Sequence, residues 1–483
     1  MAQEKVTDGQ HTAGHGSDGQ PGDGQGSDGN GPRLKRVMGP GLLLLFIVGD
    51  VLGTGIYALT GKVAGEVGGI VWLPFLVAFV LAAVTACSYL ELVTKYPRAA
   101  GAALYTHKAF GVHFVTFIVA FAVMSSGITS ASTAARAFAE NFAASFGFGA
   151  GAVGVTAIGL TFMGLIGLVN WRGVSESVKL NVVFTCIELT GLLIIILIGA
   201  AALAGGQGDF GRAIDFSAAG EGGLFWPVVA ATTLAFFAMV GFEDSVNMAE
   251  ESKDPSRIFP KVLLGGLMLT GVIYLLVSVT AIALVEIDAL SEGATPLLKV
   301  VEAGAPWFPL SVFGVITMFA VANSALINML MASRLLYGMA QERVLPRVLG
   351  RVSNARRTPF VSIIFTTLLA AGLIVFVGAV PDLGGTTALL LLGVFAVVNV
   401  AVLVLRSDNV DYAHFRAPLG LPYLGAISCA FFVGPWTGRD ATQYLIAAIL
   451  LGIGIVLWAG TVYAMKRRGE AIGAPDMATL SEA

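Results

Sequence analysis

The chain has 483 residues, of which 56% are hydrophobic and only 12% are charged, whereas a soluble globular protein carries roughly a quarter charged residues. A chain of this composition cannot hide its apolar surface in water, which excludes a water-soluble fold. The formal net charge of −3 indicates little about partners. We therefore predict an all-α, polytopic membrane protein that lies in the lipid bilayer.

The two ends of the chain are predicted to be tails. Residues 1–36 should form a disordered tail, because the stretch up to residue 32 is largely Gly, Asp, Ser, Gln and His and has no apolar segment typical of a signal peptide. A calcium-binding interpretation of its loose repeat, GSDGQPGDGQGSDGNG, is not favoured, since the repeat lacks the apolar position that a stacked β-roll requires. Residues 467–483 are predicted to be a second short tail.

Between the tails, windows of about 19 residues predict twelve membrane-spanning helices. They cover residues 40–63, 70–93, 112–140, 150–170, 176–204, 224–250, 261–285, 308–338, 360–380, 384–405, 419–436 and 441–465. We assign residues 37–405 to a ten-helix core and residues 406–466 to helices 11 and 12. An even number of spans places both termini on one side of the membrane.

The distribution of basic residues predicts which side that is. Of the 28 Lys and Arg residues, all but six fall in loops and helix ends on the side of the termini. The exceptions are Lys62, Arg212, Lys299 and Arg439 in the opposite loops, Lys5 in the distal tail and Arg136 inside span three. Because loops rich in Lys and Arg stay in the cytoplasm, we predict that both termini are cytoplasmic and that the protein lies in the cell membrane.

Two predicted spans are interrupted at corresponding places. Span one contains GDVLGTGIYALTG, with a break expected at Gly53-Thr54-Gly55, and span six contains FFAMVGFEDSVN, with a break at Gly241. Glycine costs roughly 1 kcal/mol against alanine in a helix interior. Paired interruptions five spans apart are typical of a transporter binding site built from discontinuous helices. The alternative is that the GxG pattern serves close packing of helices.

The chemistry of a broken helix favours a particular ligand. An unwound turn frees amide N–H groups at the start of one half-helix and carbonyl groups at the end of the other. The amides suit an anion and the carbonyls suit a cation. An α-amino acid carries both charges close together, so two crossed breaks could hold its main-chain groups.

Several longer motifs resemble a known family. They are GDVLGTGIYALTGKVAGEVGG, SYLELVTKYPRAAGAALYT, ASTAARAFAENF, AFFAMVGFEDSVNMAEESKDPSRIFPK and FRAPLGLPYLG. Together they resemble the amino acid–polyamine–organocation superfamily and, within it, bacterial relatives of the cationic amino acid transporters. The resemblance implies a leucine-transporter-like core of two inverted five-helix repeats, two additional helices, and transport by alternating access.

The resemblance also implies a substrate site. Thr54 and Gly55 would hold the substrate carboxylate, with Gly53 giving the break and Ile56 opening the second half-helix. The carbonyls that would accept from the ammonium group belong to Val51, Phe237, Ala238 and Val240. Phe237 would close over the bound substrate, although Phe236 and Phe237 could also be ordinary core or lipid-facing aromatics. Gly241, Phe242 and Glu243 complete the half of the site in span six.

Ionisable residues inside predicted spans are functional candidates, because each is costly unless it is satisfied. They are Asp50, Glu91, Arg136, Glu140, Glu188, Glu243 and Asp244. Glu91 and Glu140 are expected to be solvated near span ends, and Arg136 is expected to pair with Glu140. Asp50 either packs against the broken segment or stays protonated. Glu243 is expected to cap the half-helix or to act in gating, with direct substrate binding as a third alternative.

Glu188 is the most informative of these residues. In NVVFTCIELTGLL it is the only acidic or basic residue between Lys179 and Asp209, and burial there favours the protonated form. Proton-coupled members of the family often have a lysine at this place, so the chain departs from that pattern. Our hypothesis is that Glu188 binds the coupling proton and, when protonated, ties span five to span one; a sodium or water ligand and a structural pairing are the alternatives.

These features predict a secondary active amino acid permease, with proton-coupled symport favoured. An exchanger of amino acids or polyamines, or sodium-coupled uptake, is the alternative. An enzyme is not expected, since the five histidines are scattered and no HExxH, GxSxG or P-loop motif is present. We predict no cofactor, no metal site and no nucleic-acid partner. The expected partners are an amino acid, a proton (or sodium) and the bilayer.

Overall fold

The computed structural model describes residues 39–97, 101–149, 151–216, 223–246, 249, 252–341, 343–353, 356 and 358–467, and for residues 174–179 it describes the backbone alone. The predicted tails therefore lie outside the described residues, apart from Arg467. Part of the predicted span 224–250 also lies outside them.

The described residues fold into sixteen α-helices. They are α1 (Pro40–Val67), α2 (Trp72–Lys95), α3 (Gly101–Phe110), α4 (His113–Phe146), α5 (Ala152–Arg172), α6 (Val174–Ala204), α7 (Phe225–Ala238), α8 (Phe242–Val246), α9 (Pro255–Leu284), α10 (Ile287–Ser291), α11 (Pro296–Gly304), α12 (Leu310–Gln341), α13 (Phe360–Phe376), α14 (Val380–Leu405), α15 (Gly420–Val433) and α16 (Ala441–Arg467). The helix starts follow local sequence: Pro40, Pro255 and Pro296 each occupy the first turn, where a missing N–H costs nothing.

Ten helical segments in the described part of the chain are long and apolar enough to cross a membrane, with α7 and α8 counted together. The remaining two predicted spans coincide with α13 and α15, which have 17 and 14 residues. At 1.5 Å per residue these two helices are about 26 and 21 Å long, which is short of a hydrocarbon core of about 30 Å. The polytopic helical fold is confirmed, and the count of twelve spans stays a prediction.

The helix α1 lies at the centre of the bundle. Of its apolar window, 83% is buried, against 22% for α16 at the periphery. It packs against α6, α7, α9 and α12, and α7 packs in turn against α2 and α14. Irregular backbone at membrane depth is tolerated only where protein or a cavity surrounds it, and α1 and α7 have such surroundings.

The end of α2 is tied to the end of α14 by an ion pair that the sequence analysis missed. The Arg406 side chain donates from Nε and Nη2 to the two carboxylate oxygens of Glu91, at 2.9 and 2.8 Å. The same carboxylate accepts from the Ala417 N–H at 2.9 Å. The prediction that Glu91 is solvated is therefore wrong, because α14 and the segment before α15 cover it.

The ion pair that we predicted within α4 is absent. Arg136 does not form an ion pair with Glu140, four residues later in α4, but donates from Nη1 to the Thr156 hydroxyl of α5 at 3.0 Å. The side chain therefore links two neighbouring helices instead of bridging one turn of its own helix.

Candidate functional site

The first break lies inside α1 at Gly53, whose backbone has φ −18° and ψ −154°. Side chains from two other helices satisfy the backbone groups that the break releases. The Thr54 N–H donates to the Ser324 hydroxyl of α12 at 3.0 Å, and the Tyr274 hydroxyl of α9 donates to the Val51 carbonyl at 2.5 Å. One amide and one carbonyl of the break are therefore held by groups that a ligand could replace.

The second break separates α7 from α8. Gly241 has φ +126°, a conformation that residues with a Cβ rarely adopt. Its N–H donates to the Glu243 carboxylate at 2.8 Å, so the side chain reaches back over the start of α8 in the manner of a capping box. This contact agrees with the capping alternative for Glu243.

The two breaks contact each other directly. The backbone of Ala238, at the end of α7, occupies the place where a side chain on Gly55 would begin. The Asp50 carbonyl oxygen lies 2.8 Å from the Cβ position that a larger residue at 241 would have. Close packing alone therefore requires glycine at position 55, as the alternative interpretation of the GxG pattern proposes, and this packing brings the two breaks together.

A narrow cavity of about 20 Å³ lies between the breaks. It is lined by Asp50, Val51, Gly53, Thr54, Gly55, Ser130, Phe237, Val240, Gly241, Asp244, Ser324 and Asn328. Eight of these residues were predicted from the sequence. A cavity of this size holds about one water molecule, so an amino acid requires the helices to move apart.

Four residues that were predicted to form the substrate site lie outside this cavity. Ile56 is fully buried, and Ala238 packs on Gly55. Phe242 packs edge-on against Tyr89 and contacts Phe395. Glu243 lines a separate cavity with Tyr89 and Ala102.

Four residues of the cavity were not predicted as site residues. Asp244 was noted as an intramembrane carboxylate, but the sequence did not distinguish it from Glu243. Ser130 on α4 and Ser324 and Asn328 on α12 come from helices with many other polar residues. The spacing of four between Ser324 and Asn328 places both on one helix face, but only the structure reveals that this face meets α1.

Asp50 and Asp244 give the cavity an acidic character. Both residues are more than nine-tenths buried, and neither Asp50 carboxyl oxygen has a hydrogen-bond partner among the described residues. No Lys, Arg or His side chain is among the described residues that line the cavity. A positively charged or proton-donating group would satisfy these carboxyl groups.

Glu188 lies outside the cavity, where α6 packs against α1 and α12. Its residue surface is fully buried. The Asn323 side chain approaches the carboxyl group, but neither carboxyl oxygen meets the geometry of a hydrogen bond with any described residue. The direct bond from Glu188 to a carbonyl of α1 that we expected is absent in this conformation.

Other groups join α6 to α1 instead. The Asn323 amide donates to the Gly49 carbonyl at 3.1 Å and to the Thr185 hydroxyl at 3.2 Å. The Tyr57 hydroxyl donates to the backbone carbonyl of Glu188 at 2.9 Å. Glu188 is thus enclosed by a polar network in which its own carboxyl group takes no part.

Comparisons with known proteins agree with this arrangement. The amino acid permease family model matches residues 42–459. The chain is 26% identical over 423 residues to the branched-chain amino acid permease of Bacillus subtilis (strain 168). That alignment covers 82% of this chain and 87% of the permease. It is 28% identical over 341 residues to the chloroplastic cationic amino acid transporter 9 of Arabidopsis thaliana, in an alignment that covers 67% of this chain and 58% of the transporter. It is 25% identical over 441 residues to the methylthioribose transporter of Bacillus subtilis (strain 168), in an alignment that covers 86% of this chain and 91% of the transporter.

The match with the family model covers most of the chain, including both helix breaks and all described residues of the cavity. Family and relatives are transporters and not enzymes. The chain belongs to the amino acid permease family, within the amino acid–polyamine–organocation superfamily.

Proposed function

We propose that this protein is a secondary active transporter that moves α-amino acids across the cytoplasmic membrane by alternating access. The observation that carries the proposal is the meeting of two broken membrane helices at one buried cavity. Transporters with discontinuous helices bind their substrates at such places. Membership of the permease family supports the same function.

The substrate carboxylate is assigned to the amides of Thr54 and Gly55. The ammonium group is assigned to the carbonyls of Val51, Phe237, Ala238 and Val240. Gly53, Ile56, Gly241, Phe242 and Glu243 shape the two breaks. The contacts from Ser324 and Tyr274 support this assignment, because they satisfy one of these amides and one of these carbonyls where lipid and water cannot.

The small cavity supports a mechanism with moving helices. Because about 20 Å³ is too little for an amino acid, substrate entry requires α1 and α7 to separate or to tilt. Ser324 and Tyr274 would exchange their backbone contacts for water or substrate as the site opens. Such a site is closed in one conformation and accessible in another, as alternating access requires.

The acidic lining favours a substrate with an additional positive charge. An α-amino acid zwitterion brings no net charge, whereas Asp50 and Asp244 lie in a cavity without a basic side chain among its described lining residues. A buried carboxylate is costly without a cationic partner. The relatives are named for different substrates and do not select one. We infer from the two carboxyl groups that cationic amino acids are preferred to acidic ones.

Proton-coupled symport is the coupling mode that we propose. Glu188 and Asp50 are the proton sites, because their carboxyl groups are buried and have no hydrogen-bond partner among the described residues. The alternatives are exchange of amino acids or polyamines, and sodium-coupled uptake. In the sodium alternative, the Glu188 carboxyl would be a ligand of the cation.

We also propose the inverted repeat and the orientation. In the repeat, α1, α2, α4, α5 and α6 correspond to α7–α8, α9, α12, α13 and α14. Helix contacts support this pairing: α1 packs on α6 as α7 packs on α14, and α2 packs on α7 as α9 packs on α1. The excess of basic residues on the side of the termini supports a cytoplasmic location for both ends.

The test is uptake by the purified full chain in proteoliposomes. Labelled lysine, leucine and glutamate are offered outside, under an imposed proton gradient, a sodium gradient or neither, with no amino acid inside. We expect net uptake driven by the proton gradient, with lysine preferred to glutamate. Uptake that requires an internal amino acid would establish exchange, and absence of uptake of all three amino acids would contradict the proposal.

A further inference from the structure

A groove unrelated to the substrate site opens where α12 and α16 end, on the side of the membrane that carries most basic residues. Its volume is about 270 Å³. One wall is the segment that follows α12, including Arg343, Arg347 and Val348. The other wall is the end of α16, where Gly460 and Ala464 leave room. The groove therefore has two arginine residues in its lining, together with small and apolar residues.

Arg343 holds an unusual backbone position. Its φ is +58°, and it is the only residue other than glycine with positive φ among the described residues. The Val344 N–H donates to the Met339 carbonyl at 2.9 Å and the Arg343 N–H to the Ala340 carbonyl at 3.2 Å. These two bonds form a Schellman motif, in which the left-handed position is usually glycine. An arginine there is strained, and such strain is often retained at functional sites.

The wall that carries the two arginines is held in place. The Gln341 side chain donates to the Gly350 carbonyl at 3.0 Å, and the Ser362 hydroxyl of α13 donates to the Leu349 carbonyl at 2.7 Å. Residues 347–350 form a turn of 3₁₀ helix. Residues 347–350 thus present a preformed surface, which lowers the entropic cost of binding a ligand.

An exposed face of α16 runs from Tyr463, next to the groove residue Ala464, towards the middle of the membrane. Ile449, Val456 and Tyr463 are 54%, 72% and 59% exposed, and their spacing of seven places them on one helix face. The Arg467 guanidinium lies 5.0 Å above the Tyr463 ring. Tyrosine and arginine are typical of the membrane–water interface, so the groove lies at the level of the lipid head groups.

We propose that this groove binds an anionic phospholipid. The phosphate contacts Arg343 and Arg347, and an acyl chain lies along the exposed face of α16. Guanidinium groups suit phosphate because they donate two parallel hydrogen bonds. The exposed side chains of Lys466 and Arg467 follow the groove, so the local charge favours a lipid with net negative charge over a zwitterionic one.

The experiment is native mass spectrometry of the full chain, which is purified in detergent and mixed with dioleoyl phosphatidylglycerol or dioleoyl phosphatidylcholine. The first variant is Arg343→Gly, which removes the guanidinium and places glycine at the left-handed position. The second is Arg347→Gln, and the third is Ala464→Trp, which fills the groove without a change of charge. Arg257→Gln is the matched control, because Arg257 is an exposed arginine at the start of α9, outside the groove.

We expect the wild type to retain phosphatidylglycerol more tightly than phosphatidylcholine. Loss of each groove arginine should weaken phosphatidylglycerol binding roughly fivefold, and Ala464→Trp should weaken both lipids, while Arg257→Gln changes neither. Arg343→Gly should also raise the melting temperature in lipid-free detergent, because it relieves backbone strain. A folded Arg343→Gly protein that melts higher yet binds less lipid separates a ligand role from a structural one.

Other results would overturn the inference. Equal retention of the two lipids by the wild type would exclude recognition of the anionic head group. An equal loss of binding in Arg257→Gln would indicate general surface charge. Competition by glycerol 3-phosphate at the same concentration as phosphatidylglycerol would identify a site for a free phosphate compound and not for a lipid.

Discussion

Buried carboxyl groups are concentrated around the two helix breaks, and they differ in how they are satisfied. Glu243 accepts a hydrogen bond from Gly241 at 2.8 Å. The carboxyl oxygens of Asp50 and Glu188 have no hydrogen-bond partner among the described residues. An unpartnered carboxylate inside a membrane protein is costly. Binding of a proton or a cation therefore lowers the free energy of the protein most at Asp50 and Glu188.

Replacement of Glu188 by Gln should uncouple uptake from the proton gradient. The amide cannot bind and release a proton, so uptake should no longer rise as the external pH falls. Each pH unit of gradient that stops driving transport lowers the accumulation ratio about tenfold for one coupled proton. The measurement is labelled amino acid accumulation in proteoliposomes at several external pH values.

The matched control for this variant is Glu302→Gln, because Glu302 is exposed in the segment between α9 and α12. It should keep the wild-type pH dependence. A Glu188→Gln protein with wild-type pH dependence and accumulation would exclude Glu188 as the coupling site.

Replacement of Asp244 by Asn should weaken binding of cationic amino acids selectively. Loss of a charge-assisted contact costs about 1.5 to 3 kcal/mol, so the KM for lysine should rise roughly 10- to 100-fold while that for leucine changes little. The measurement is uptake kinetics of both substrates. Asp288→Asn is the control, because Asp288 is an exposed residue of α10. An equal rise of KM for lysine and leucine in Asp244→Asn would refute the proposed charge preference.

At the residue scale, the sequence identified the breaks but only part of the lining of the cavity. Glycines and a charge inside an apolar run are local signals, and Gly53 and Gly241 lie where the backbone departs from helix. Ser130 and Asn328 carry no comparable signal, because serine and asparagine occur at many positions of these helices. Their role depends on which face of α4 or α12 meets α1.

At the scale of helices, close approach determines which residues the breaks tolerate. Gly241 combines φ +126° with a Cβ position 2.8 Å from the Asp50 carbonyl oxygen. A larger residue would strain the backbone and also push α7 away from α1. The break is therefore a packing requirement as well as a binding element.

Substitution of Gly241 by Ala should lower thermal stability markedly. A residue with a Cβ in such a backbone conformation costs of order 1 to 3 kcal/mol, and the contact with Asp50 adds to this cost. The measurement is the melting temperature of the purified protein. Gly265→Ala is the control, because Gly265 lies inside α9 with open space at its Cβ position, and it should be stabilised by about 0.5 to 1 kcal/mol. Equal melting temperatures for the two variants would contradict the packing argument.

The ion pair between α2 and α14 should be worth far more than an exposed one. Glu91→Gln leaves Arg406 buried without its carboxylate, which should lower the free energy of unfolding by about 3 to 5 kcal/mol. The exposed pair of Arg212 and Glu286 is the comparison: its side chains are 27% and 72% exposed, against 10% and 4% for Arg406 and Glu91. Glu286→Gln should change stability by about 1 kcal/mol or less.

Chemical denaturation of both variants in the same detergent measures this difference. A Glu91→Gln protein as stable as Glu286→Gln would mean that the Arg406 side chain finds another acceptor. The neighbouring Ala417 carbonyl, which already accepts from Arg406 at 2.7 Å, would then be the group to examine.

At the scale of the whole molecule, charge and apolar length organise the bundle. Of the ten long apolar segments in the described part of the chain, α1 is the most buried, and the basic residues are predicted to collect at one end of the bundle. The proposed topology follows from this asymmetry. It places α10 outside and the start of α9 inside.

Cysteine labelling tests this orientation. In a background without Cys87, Cys186 and Cys429, a membrane-impermeant maleimide should label Asp288→Cys in intact cells and leave Arg257→Cys unlabelled. Both should react after permeabilisation, which controls for accessibility. Labelling of Arg257→Cys alone in intact cells would reverse the proposed orientation.

The sequence by itself determined the helical membrane fold, the family and the location of the two breaks, because these depend on local properties: apolar length, glycine content and motifs. Only the tertiary structure decided the partners. Glu91 pairs with Arg406, which is 315 residues away in the sequence. Tyr274 donates to the carbonyl of Val51, which is 223 residues away. The physical reason is that helices apolar on nearly every face do not encode their rotation or their neighbours. Packing against other helices sets both, and thereby selects which polar groups meet at the site.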